Sequence, residues 1–79
     1  METIKERIFS VMELVFEESK ENISEESSID SLENWDSLRH LNLVLGLEEE
    51  FDITIPDEEV ATITNYKLIE IVINEQLAK

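Results

Sequence analysis

"ENWDSLRHLNLVLGLEEEF", residues 33–51, is the stretch on which the fold turns. From Ser37 to Phe51 it holds no proline, and its apolar residues recur closely enough to line one side of a helix. The spacing predicts a helix from about Ser37 to Phe51, with Leu41, Val44, Leu45 and Phe51 available to a core. Asp36 and Ser37 stand at its start, and both residue types are favoured N-caps. Neither completes a capping box, because the residue three places on is Arg39 from Asp36 and His40 from Ser37. Gly46 costs such a helix about 1 kcal/mol against alanine. Glu48, Glu49 and Glu50 crowd its last turn, where the helix dipole favours cations. Either tertiary packing overrides both features, or the acidic turn serves something outside the fold.

Towards the N-terminus, Ile4, Ile8, Val11, Met12 and Val15 follow helical spacing, with Phe9 and Phe16 beside the stripe. They predict a first helix over residues 3–19. Between the two helices, "KENISEESSIDSLENWD" (residues 20–36) is polar, with Ile23, Ile29, Leu32 and Trp35 as spaced apolar anchors. Loops this long are functional or disordered as a rule, and the anchors favour a loop laid over a core. Beyond Phe51, "FDITIP" breaks the helical period and Pro56 restarts a turn. "DEEVATI" then holds one short helix with an acidic first turn. Thr64 is placed to cap a last helix in which Leu68, Ile69, Val72 and Ile73 keep the period to about Leu77. No strand is expected beyond a weak alternation in "DITI". The sum is an all-α fold, a small four-helix bundle with three longer helices, one short third helix and a long first loop.

Seventy-nine residues suit one domain, spanning 1–79. There is no cysteine, hence no disulfide framework and no thiolate metal site, and the chain needs no oxidising compartment. The N-terminal stretch is interrupted by Glu6, Arg7 and Glu13, which argues against a signal peptide or membrane span. The expectation is a cytoplasmic monomer. Six basic residues against twenty acidic ones give a formal charge of −14, which repels phosphate backbones and disfavours nucleic acid. The charge suits protein partners with basic patches and makes stability salt-sensitive. It also opposes collapse, but 42% hydrophobic residues at helical spacing favour an ordered fold.

Ser37 admits three readings: a helix cap, a nucleophile, or a site that another enzyme modifies. His40 lies three residues on and shares its helix face. A Ser–His catalyst also needs a group to orient the histidine and a preorganised oxyanion hole, for which the chain offers few glycines or turns. No catalytic residue is therefore expected. The carboxylates lack the spacing of a calcium-binding loop and one histidine offers no zinc triad. No specific metal site is expected, and the "EEE" and "DEE" runs attract divalent ions only as charge screening.

"DSL" at a loop-to-helix junction, followed by "LNLVLGLEEEF" and then "DITIPDEE", resembles the acyl carrier protein family. The likeness covers nearly the whole chain, including its length, acidity, long first loop, short third helix and the "ITN" that leads into the last helix. The resemblance implies a non-catalytic carrier. Ser37 matches the serine that receives 4′-phosphopantetheine from coenzyme A, through a phosphopantetheinyl transferase, and the arm's thiol carries acyl groups as thioesters. The missing cysteine suits that reading, because the cofactor supplies the sulfur. By the same resemblance the second helix is read by acyl-loading, condensing or acyltransferase enzymes through Asp36, Leu38, Leu41, Leu45, Glu48 and Glu49. Leu41 and Leu45 have a plainer reading as core, and the glutamates as a solvated face.

The resemblance further implies shelter for an acyl chain between the helices, here among Ile8, Leu45, Ile55, Ile63, Ile69 and Val72. Arg39, His40, Asn42 and Trp35 depart from the fatty-acid pattern and point to a specialised carrier; Trp35 either covers the base of the arm or, as the preferred reading, pins the loop to the core. Peptidyl and D-alanyl carriers share the arm and bundle. The alternative from a different class is an unmodified acidic helical interaction module, with Ser37 as a cap.

Overall fold

The computed structural model describes residues 3–78; Met1, Glu2 and Lys79, which the single-domain reading includes, lie outside the described residues. Four helices follow in order: α1 (Ile4–Phe16), α2 (Ser37–Phe51), α3 (Asp57–Val60) and α4 (Tyr66–Leu77). A single 3₁₀ turn, Lys20–Asn22, interrupts the long first loop. The described residues form no strand, only one antiparallel bridge between Ser28 and Asn65. The radius of gyration, 11.4 Å, matches the value of about 12 Å for a compact chain of this length.

Helix α1 opens on a capping box: the Glu6 N–H donates to Thr3 Oγ1 and the Thr3 N–H donates to Glu6 Oε1. The Thr3 N–H, then its hydroxyl, hold the Glu6 carboxyl below its usual range. The helix ends three residues short of its predicted 3–19 span, because Glu17 turns left-handed (φ 52°). Two remote side chains take its last carbonyls: Arg39 Nη1 donates to Val15 O at 2.7 Å and Asn34 Nδ2 to Phe16 O at 2.8 Å. The charge of Arg39 is thus directed to α1, where Nη2 also meets Glu17 Oε2 at 2.7 Å.

Helix α2 has the predicted limits, capped by Asp36, whose Oδ1 accepts the Arg39 N–H at 2.9 Å. Its core face matches the expected one at Val44 and Phe51 and differs at the other two positions. Leu43, Val44, Leu47 and Phe51 are buried, whereas Leu41 and Leu45 are 55% and 61% exposed and belong to no core. Gly46 lies close against α1: a Cβ there would lie 3.0 Å from Val11 Cγ1 and 3.7 Å from Val15 Cγ2. Tertiary packing therefore accounts for the glycine. The acidic last turn is part of the fold on one side. Glu48 Oε2 accepts the Ile55 N–H at 2.7 Å, and Glu50 Oε2 meets Arg7 Nε at 2.8 Å, with the Arg7 guanidinium 4.4 Å from the Phe51 ring centre.

Helix α4 starts one residue later than expected. Asn65, not Thr64, is its cap, and Asn65 Oδ1 accepts the Leu68 N–H at 2.9 Å. Thr64 serves the loop instead, its carbonyl accepting the Ile29 N–H at 2.9 Å, while Ser27 O accepts the Tyr66 N–H. These bonds stitch the first loop to the start of α4. Ile23, Leu32 and Trp35 anchor the loop in the core as predicted; Ile29 is 43% exposed and does not. Ile8, Met12, Phe16, Leu43, Leu47, Ile63, Tyr66, Ile69 and Ile73 are fully buried and form the centre of the bundle.

Candidate functional site

The α2 cap decides the state of Ser37. Because Asp36 caps the helix, Ser37 is the first helical residue, and its exposed hydroxyl is not the cap. The backbone N–H groups of Ser37 and Leu38 precede the first intrahelical donor and face outward with the positive end of the dipole. An anionic substituent on Ser37 fits that position.

Beside the hydroxyl lies an open groove of about 620 Å³, lined by Ile29, Trp35, Asp36, Ser37, His40, Leu41, Ala61 and Thr64. Its walls come from the first loop, the start of α2 and the segment after α3. Most of its surface is apolar, and Asp36 is the one carboxylate among its lining residues.

Trp35 and His40 form the back of this groove. The Trp35 ring is buried, 4.8 Å from Phe16 between ring centres, which pins the loop to the core. Its Nε1–H donates to His40 Nδ1 at 3.0 Å. Indole nitrogen is only a donor, so Nδ1 accepts and the imidazole is the neutral Nε2–H tautomer. Nε2–H then donates to the Val60 carbonyl at 2.6 Å. Both ring nitrogens are occupied, and His40 has none left to serve Ser37 as a base.

The exposed face of α2 carries the remaining predicted site residues unequally. Leu38, Leu41 and Leu45 are 68%, 55% and 61% exposed, and their spacing of three and four residues puts them in one stripe that begins beside Ser37. Glu49 is exposed further along the helix. Glu48 is half-buried and committed to Ile55, so its role begins inside the molecule. Asp36 is exposed at the helix start, its carboxylate shared with the Arg39 N–H.

Of the six residues expected to enclose an acyl chain, Leu45 is on the outer surface and cannot line an interior space. Ile8, Ile55, Ile63, Ile69 and Val72 are buried, and none of them borders the groove at Ser37. Sequence reasoning missed Ile29, Ala61 and Thr64 as groove walls and the bridge from Trp35 through His40 to Val60. The bridge ends on a backbone carbonyl, which leaves no signal in residue types. The chain matches no protein-family model.

Proposed function

We propose that the chain is a carrier protein whose Ser37 is modified with 4′-phosphopantetheine and presents acyl or related intermediates to biosynthetic enzymes. The observation that carries this reading is the conjunction at the start of α2. An exposed serine hydroxyl, free of capping duty, opens on a groove and is followed by the exposed stripe Leu38, Leu41 and Leu45. Exposed leucines on a helix of an acidic protein suit a partner with an apolar pocket and a basic rim.

In the modification, Ser37 Oγ loses its proton and bonds to the phosphorus that bears pantetheine, the pyrophosphate bridge of coenzyme A breaks, and adenosine bisphosphate leaves. The attached group supplies a thiol on which cargo is held as a thioester. The protein's part is to expose the hydroxyl, to place the new phosphate at the positive end of α2, and to offer Asp36, the leucine stripe and Glu49 to the transferase and to loading, condensing or acyltransferase enzymes.

The test is the intact mass after incubation with coenzyme A and a broad-specificity phosphopantetheinyl transferase, with Ser37→Ala alongside. A gain of one phosphopantetheine on the natural chain alone is the expected result. No gain on folded protein with an active transferase would leave the leucine stripe as the docking face of an unmodified module.

A further inference from the structure

We infer that Trp35, His40 and the Val60 carbonyl form a bar across the route from Ser37 into the bundle, so that cargo stays in the open groove. This rests on the carrier reading and narrows it. The cargo class is a short or polar acyl or aminoacyl group rather than a long alkyl chain housed among the helices.

Three observations carry the inference. The bar is continuous: Trp35 is packed on Phe16 on one side, stacks beside His40 with ring centres 6.2 Å apart on the other, and His40 is bonded onward to the segment that closes the far wall. The groove stops at it. Trp35 and His40 line the groove, whereas Leu43, Leu47, Ile63 and Ile69, directly relevant to any interior chain, are fully buried and do not. The bar is also costly to open, because an alkyl chain passing between α2 and α3 would separate both hydrogen bonds and leave an indole N–H, an imidazole and a carbonyl unpaired against hydrocarbon. A short or polar group needs none of this. In the groove it meets the Ile29, Leu41 and Ala61 side chains and the polar atoms of Thr64 and Asp36.

The absence of cysteine allows a test that needs no transferase. Ser37→Cys is labelled through its introduced thiol with methyl or decyl methanethiosulfonate, in the natural background and with His40→Ala or Trp35→Phe. Thermal unfolding and amide hydrogen exchange of Leu43, Leu47 and Ile63 are then recorded. With the bar intact, the decyl and methyl proteins melt within about 1 °C of each other and the core amides exchange alike. With His40→Ala, the decyl label raises the melting temperature by about 4 °C or more over the methyl label and slows those amides.

Trp35→Phe keeps the ring packing but lacks the N–H, and shows a smaller rise of the same sign, which guards against a His40→Ala chain that has merely lost its fold. An equal rise with and without His40, or no rise in either variant, overturns the inference. Each of these results is read apart from the transferase assay, so failure of the bar and failure of the carrier reading are told apart.

Discussion

Tyr66 is fully buried at the first position of α4, and its hydroxyl donates to Glu70 Oε2 at 2.6 Å. Burial, then the hydrogen bond and charge of Glu70, raises the phenol well above its ordinary value of 10.0. The folded chain therefore keeps this proton to a higher pH than the unfolded chain does. The resulting stability is complete below the ordinary value and is lost as pH rises above it. Tyr66→Phe is expected to cost about 1 kcal/mol at neutral pH. It should also lose less stability than the natural chain between about pH 9 and about pH 11, measured by urea unfolding at each pH. Equal slopes for the two proteins would refute the buried phenol.

Leucines two residues apart show where single residues were illegible. Leu41, Leu43, Val44, Leu45 and Leu47 surround α2 with apolar side chains, so helical period alone could not say which side faces inward. The structure buries Leu43 and Leu47 and exposes Leu41 and Leu45. Leu47→Ala should cost about 2–5 kcal/mol and Leu45→Ala less than about 0.5 kcal/mol in denaturant unfolding. Comparable costs would put the core on the other face.

At the scale of elements, α2 was read correctly at both ends, because a cap-forming pair precedes it and "FDITIP" breaks its period. The end of α1 was not, because Arg39 and Asn34, which bond its last carbonyls, lie 24 and 18 residues from their partners, and a bond between remote residues leaves no local trace. The start of α4 was missed by one residue because Thr64 and Asn65 are both good caps, and backbone geometry alone chooses between them. Gly46 was legible as a weak point in α2, but its reason, the closeness of α1, was not. Gly46→Ile is expected to push α1 and α2 apart and to destabilise by about 1–3 kcal/mol, despite removing a poor helix former. A neutral or stabilising result in thermal unfolding would mean that the two helices are not held this close.

For the whole molecule, the fold class follows from the apolar periods, and the described residues form the all-α bundle they predict. Among those residues no helix is long and apolar enough to cross a membrane. Arg7 and Arg39 brace α1 and α2 against one another, which leaves most of the acidic surface for solvent or for basic partners. Of the candidate site, the junction at Asp36–Ser37 was plain in the sequence. The groove was hidden, because it is assembled from three separate segments of chain.

Everything proposed for the molecule depends on Ser37 accepting the arm. The chain contains no cysteine, so any thiol it acquires comes from that arm. Titration of free thiols on the gel-filtered protein, before and after treatment with coenzyme A and an active transferase, reads this directly. The account predicts none before, one per chain afterwards, and none at either stage for Ser37→Ala. A natural chain that stays without a thiol while folded and fully treated would contradict it.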